Sequence, residues 1–223
     1  MVDLPTPPEW MALVSGVKPA LRLLRADVRA RAEAAAAARR GFASAVVDLG
    51  DGRAIAYVGR TRALVDELVA AEAEVLPGTE RGAPAAHRRL GLALGFPACC
   101  VEAFVERLAR GVERLPTGQA AHEDYVAASA ALRASRRVDA RANVFTRDWR
   151  PGWLSHYPCR FDCASSLAYA DSLRAAFADH APAAAAAHAW WLGEPVALHR
   201  DGRRTAVDEA TVDACCLRFD DPA

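Results

Sequence analysis

Ala-Ser-Ala-Val-Val-Asp-Leu-Gly-Asp-Gly-Arg-Ala-Ile-Ala-Tyr-Val, residues 43–58, decides the fold class. Two short runs with β-strand character, 43–49 and 54–58, flank Gly50-Asp51-Gly52. Those three residues carry turn chemistry, so the stretch predicts a β-hairpin. A second hairpin is expected near the C-terminus, where 196–199 and 204–207 flank Asp201-Gly202, with 214–219 as a last strand. The strands sit in local hairpins and not in βαβ units, which favours the α+β class over a parallel doubly wound sheet.

Helical periodicity dominates the rest. Val17, Leu21, Leu24 and Val28 recur at helix spacing in a segment that ends at Gly41, with Pro19 in its first turn. A second helix is expected over 61–76, with Val65, Leu68, Val69 and Leu76 as its buried stripe and Pro77-Gly78 as its stop. Residues 84–94 read as a short helix capped by Gly95, and Pro97 opens another whose apolar face is Val101, Phe104, Val105 and Leu108. Further helices are expected over 120–136, from about 162 to 179, and over 182–191, where Trp190-Trp191 would pack against the sheet. Residues 111–118 read as a loop and 148–158 as a long irregular connection, a kind of segment that often carries function. The expected architecture is α+β and mostly helical. It is a single domain over 1–223, with a helix-and-hairpin part (1–80), a helical part bearing cysteines (81–192) and a C-terminal hairpin (193–223).

Composition narrows the functional classes. A chain of 223 residues with 52% hydrophobic and 25% charged residues can bury a core without staples. Twenty-eight basic residues balance 28 acidic ones, and the arginine pairs at 39–40, 88–89, 136–137 and 203–204 are scattered, so no basic face for nucleic acid is expected. The N-terminus lacks the pattern of a signal peptide, and no stretch reaches the roughly 20 apolar residues of a membrane helix. The expected location is cytoplasmic, where grouped cysteines are metal-binding or catalytic more often than disulfide-bonded.

Two segments carry that chemistry: Gly95-Phe96-Pro97-Ala98-Cys99-Cys100-Val101-Glu102-Ala103-Phe104, and His156-Tyr157-Pro158-Cys159-Arg160-Phe161-Asp162-Cys163-Ala164-Ser165-Ser166. Soft thiolates suit zinc, copper(I) and iron–sulfur clusters. Three thiolates and an imidazole complete a tetrahedral zinc shell. The same three thiolates can hold three irons of a four-iron cluster. Cys163 shares a helical face with Leu167, Ala170, Arg174 and Phe177 and should point inward, and Cys159 precedes that helix. Cys100 borders the apolar stripe of its helix and is the preferred ligand, with Cys99 pointing away from the stripe. In both segments a proline precedes a cysteine at a helix start. Two helix N-termini aimed at one point would favour an anionic thiolate centre or an anionic substrate.

The expected ligands are therefore Cys100, Cys159 and Cys163, with Cys99 as the alternative to Cys100 and His156 as the fourth ligand or a proton-transfer group. Around them, Glu102 is a candidate acid–base group, Arg160 a carboxylate or phosphate binder, and Ser165 and Ser166 donors to a cluster sulfur or a substrate. Asp162 reads as the cap of its helix, and Trp149 and Trp153 as core filling. Cys215-Cys216 lies in an expected strand, where one of the two faces the core. Buried cysteines that serve only as small hydrophobes remain the alternative to any site.

The Gly-Phe-Pro-x-Cys-Cys-x-x-x-Phe and His-x-Pro-Cys-x-x-x-Cys-x-x-Ser segments resemble a poorly characterised prokaryotic group, domain-of-unknown-function family 483. The resemblance implies that the two segments belong to one site and carries no established activity. No phosphate loop, nucleophile elbow or His-Glu-x-x-His motif is present. The leading expectation is a metal-dependent enzyme with an iron–sulfur cluster, acting on a small anionic molecule. The alternative is a structural zinc site in a binding or interaction protein.

Overall fold

The computed structural model describes residues 8–75, 84–111, 122–146, 152–207 and 214–219. Among them are eight α-helices and two three-stranded antiparallel sheets, a mostly helical α+β fold. No helix among the described residues is long and apolar enough to cross a membrane. The chain divides into two compact units, residues 12–101 and residues 1–11 with 102–223.

The smaller unit is built on β1 (Ala20–Ala26), β2 (Ala43–Asp48) and β3 (Arg53–Gly59), in the order β1-β3-β2. The hairpin read from 43–58 is present. Leu49 N–H donates to Arg53 O across the turn, and Gly50 and Gly52 take φ of 77° and 82°, a region that glycine enters without Cβ strain. Helix α2 (Asp27–Ala38) packs on all three strands, while α3 (Arg62–Val75) and α4 (Pro84–Ala93) pack on each other and α3 on β2 and β3. Ile55 and Tyr57 of β3 join Val65, Leu68, Ala71, Leu90 and Leu94 in one buried cluster.

One expectation fails here. Residues 20–26 form strand β1, and the helix begins only at Asp27. Ala-Leu-Arg-Leu-Leu-Arg-Ala satisfies two periods at once. Leu21 and Leu24 fit a helix, yet Leu21 and Leu23 are the buried pair and Leu24 is 42% exposed. The strand wins because β3 has a second edge to satisfy, and β1 pairs with it along its full length, Ala20 opposite Gly59 to Ala26 opposite Arg53.

The larger unit contains α6 (Glu123–Ala134), a 3-10 turn (Ala140–Ala142), α7 (Ala164–His180) and α8 (Pro182–Leu192). Its sheet comprises β4 (Val196–His199), β5 (Arg204–Thr205) and β6 (Ala214–Leu217), in the order β5-β4-β6, with α6 packed on β4 and β6. The C-terminal hairpin is thus present, with β5 shorter than expected. Cys215 is buried and Cys216 half-buried, the alternation of a strand. Trp190 departs from expectation at 69% exposure, and Trp191 lies beside His188, with ring centroids 4.9 Å apart. The helix turns Ala185, His188 and Leu192 inward and leaves its other alanines, with position 190, facing out. Trp153 fills the core against Phe177 and His188, whereas Trp149, Leu76, Pro77-Gly78 and the 112–118 part of the expected loop lie outside the described residues.

Helix α5 (Ala98–Arg110) straddles the division, which falls after Val101. The helix is continuous, so its first turn is carried by Glu102–Arg110.

Polar burial is concentrated in a few places. In the smaller unit Glu72, fully buried, accepts two hydrogen bonds of 2.7 Å from Arg22 and another from the Tyr57 hydroxyl. Burial pushes the Glu72 carboxyl up, but the Arg22 hydrogen bonds and charge, with the Tyr57 hydroxyl, outweigh it and hold the group below the ordinary carboxylate range. The stabilisation is therefore complete above the unfolded-state value of about 4.3 and is lost as pH falls through the lower folded-state value. Replacing Glu72 with Ala strands a largely buried guanidinium and should cost roughly 3 kcal/mol, read from urea unfolding at neutral pH. In Glu72→Gln the loss of stability below about pH 4 should be shallower than in the parent chain.

Candidate metal centre

Cys99 and Cys100 lie on the first turn of α5 because Gly95 and Pro97 stop one helix and start the next. Gly95 closes α4 at φ 78°, where a side chain would also collide with the Pro19 ring. Cys100 N–H and Val101 N–H both donate to Pro97 O, 2.9 and 3.0 Å away, and this fixes the first turn. Cys163 is the N-cap of α7, with an extended backbone (φ −66°, ψ 112°), and Leu167 N–H donates to its carbonyl. Both helix starts expected from sequence are present.

Cys159 comes from the irregular segment 152–163, which is anchored to the rest of its unit at several points. Phe161 N–H donates to Ser135 Oγ at 2.6 Å, and that hydroxyl in turn donates to Ala131 O at the end of α6. Arg136 N–H donates to Asp162 Oδ2, and Cys163 N–H to Arg160 O. Tyr157 donates its hydroxyl to Asp124 Oδ1 at 2.6 Å, and Arg204 holds the other carboxylate oxygen at 2.6 Å while also donating to Thr146 O. Burial, then the charges of Glu123 and Asp124, push the Tyr157 phenol far above its ordinary value, so it remains a donor. The ring stacks on Phe145, and Phe145 meets the fully buried Phe161 edge-on.

These supports bring four sulfurs together. The Sγ atoms of Cys99, Cys100, Cys159 and Cys163 all lie within 4.8 Å of one another, and those of Cys99 and Cys100 are 4.0 Å apart. None of the six cysteines is in a disulfide. A tetrahedron of zinc–sulfur bonds of about 2.3 Å has edges of about 3.8 Å, so small rotations of the cysteine side chains would close the group around one ion. The donor set is uniformly soft, which fits a thiophilic metal.

The remaining sequence candidates fall around this group. Cys99 is exposed and Cys100 buried, as the helical face implies, yet both sulfurs belong to the cluster. His156 is buried and not among the four, and its Nε2 lies 3.1 Å from Ser166 Oγ. Ser166 is therefore engaged with the imidazole, and Ser165 is exposed. Glu102 is half-buried on α5, two residues after Cys100. Arg160 is half-buried, with Nε 3.2 Å from Asp162 Oδ1.

Two expectations are corrected. Asp162 does not cap α7, because the chain enters the helix one residue later and the carboxylate turns back to Arg136 and Arg160. Arg174 is exposed, and Leu173 takes the buried position between Ala170 and Phe177, since a real helix alternates steps of three and four. Sequence reasoning also missed the Asp124–Arg204 pair that anchors Tyr157. The two lie 80 residues apart and carry no local signal. Asn143 is fully buried, donates to Leu192 O and accepts from Phe145 N–H.

Compared with known protein families, characterised proteins and solved structures, the chain matches none.

Asp124 and Arg204 are both largely buried, with side-chain exposures of 12% and 5%. Asp124→Ala should cost about 3–5 kcal/mol by leaving the Arg204 guanidinium without its carboxylate. Tyr157→Phe, which keeps the ion pair and the ring stacking, should cost only about 1 kcal/mol. Equilibrium urea unfolding of the two variants checks the ranking.

Proposed function

We propose that the four cysteines bind one zinc ion in a closed tetrahedral site, and that this centre is structural, in a protein whose role is binding or interaction. The observation that carries the reading is the spacing of the sulfurs: all lie within 4.8 Å of one another. That is close to the edge of a single-ion tetrathiolate. In a four-iron cluster each cysteine binds a different iron, and the sulfurs radiate outward from the metal framework, so they stand farther apart than ligands sharing one ion. Four protein thiolates also saturate zinc and leave no position for substrate or water, which is the hallmark of a structural site.

Charge supports the same reading. A divalent ion with four thiolates carries a net charge of −2. The first turn of α5 and the N-cap of α7 each present the positive end of a helix dipole, about half an elementary charge apiece. In this reading the ion ties the start of α5 to the irregular segment 152–163 and the start of α7. His156 then acts through its contact with Ser166, and Arg160 through Asp162, without touching the ion.

Purified protein should be colourless and contain one zinc per chain by metal analysis, with no acid-labile sulfide. Removing the zinc with a chelator should lower the thermal midpoint. Cys163→Ser isolates the ligand role, because serine is a good N-cap and leaves the start of α7 intact. That variant should lose most of its metal while keeping its helical content. Brown protein containing iron and sulfide would instead establish the iron–sulfur enzyme reading.

A further inference from the structure

The four sulfurs are not equally accessible. Cys99 is exposed, Cys159 half-buried, and Cys100 and Cys163 buried. Oxidation of cysteine requires thiolate character and access, and reactive cysteines commonly stand next to a second sulfur able to resolve the product. In a tetrathiolate site all four ligands are thiolates, so access alone ranks them. Cys99 has the access, and three further sulfurs lie within 4.8 Å of its own.

We propose that Cys99 is a modification site for hydroperoxides, and that its oxidised form is resolved by Cys159 as a disulfide, with release of the metal. The inference rests on the four-thiolate reading of the centre. In the first step the Cys99 sulfur attacks one peroxide oxygen. The S–O bond forms, the O–O bond breaks, and sulfur gives up two electrons. The leaving hydroxide or alkoxide takes a proton from water, and a sulfenic acid remains on Cys99. In the second step the Cys159 thiolate attacks the Cys99 sulfur. The S–S bond forms, the S–O bond breaks, and the departing hydroxide takes a proton and leaves as water. Two of four ligands are then lost, and the metal is left on Cys100 and Cys163.

The choice of resolving residue follows from geometry. Cys100 is adjacent in sequence, so its Cα stands about 3.8 Å from that of Cys99, short of the roughly 4.4 Å lower limit of ordinary disulfides. Cys163 is buried and caps α7, so drawing it out would unwind the helix start. Cys159 lies in the irregular segment between Pro158 and Arg160, outside any helix or strand, and can approach without breaking one.

The test treats metal-loaded protein with hydrogen peroxide and follows metal release with a colorimetric chelator and modification by peptide mass mapping. Arg160 places Cys159 and Cys163 on different tryptic peptides, and fragmentation separates Cys99 from Cys100. Brief treatment in the presence of a sulfenic-acid trap should label Cys99 first. Longer treatment without the trap should yield a Cys99–Cys159 crosslink, with one metal ion released per crosslink. Cys216→Ser should respond like the parent chain, and Cys99→Ser should lose the peroxide-driven release. If Cys99→Ser fails to load metal, the peptide map of the parent chain decides alone. Parent protein that holds no metal overturns this inference together with the four-thiolate reading. Metal-loaded protein in which Cys100 or Cys163 is oxidised before Cys99, or which releases its metal without the Cys99–Cys159 crosslink, overturns this inference alone.

Discussion

Four sulfur atoms within 4.8 Å of one another cannot all be thiolates unless a cation sits among them. At an effective dielectric constant of 20, two unit charges at that distance repel by about 3.5 kcal/mol, and four ligands make six such pairs. Two helix N-termini offset part of this, but each supplies only about half a charge. A divalent ion at the centre reverses the balance, because every thiolate is then nearer to the ion than to any other thiolate. The segments that converge here are therefore held by ordinary packing up to the point where the sulfurs meet, and a bound ion would hold them beyond it.

That division explains how the surrounding structure is built. The segment 152–163 has no helix or strand to fix it, yet it must deliver Cys159 and Cys163 to within a few ångströms of α5. Its fixation comes from side chains. Ser135 takes the Phe161 amide, Asp124 takes the Tyr157 hydroxyl, and Phe145 stacks on Tyr157 while Phe161 fills the core behind it. Asp124 is held in turn by Arg204 from β5. A hydrogen bond that satisfies a buried donor costs little to keep and a good deal to lose. A loop fastened by several of these can be irregular without being loose.

Much of this was legible in the sequence, and the reasons differ by element. The 43–59 hairpin was readable because Gly50 and Gly52 are needed at positive φ, a local requirement that leaves a local mark. The start of α5 was readable from Gly95 and Pro97 for the same reason. Strand β1 was not, because Ala20–Ala26 fits both periods and the deciding fact is the open edge of β3, more than 25 residues away in the chain. Trp190 misled because a large apolar residue is normally buried, and nothing in an alanine-rich helix says which side faces out. At the centre itself, cysteine spacing identified the two segments. It favoured one member of the adjacent pair Cys99-Cys100, since neighbours on a helix point about 100° apart. The structure brings both sulfurs into the group, 4.0 Å from each other. A first helical turn lies at the edge of the packed body, and a cysteine side chain there can reach around the helix end.

The same edge position gives the two sulfurs different surroundings although both belong to one group. Cys100 faces the interior with Val101 and Val105 along α5, whereas Cys99 lies on the solvent side of the turn. A structural metal site gains stability from burial, because water and competing ligands are excluded. An adjacent-cysteine pair at a helix start works against complete burial, since the helical twist turns the two side chains apart and only one can face inward. A centre that uses both members of such a pair is therefore closed by coordination yet open to solvent at one ligand. That asymmetry follows from the sequence Cys99-Cys100 placed on the first turn of α5, and it would hold for any thiophilic ion bound by the four sulfurs.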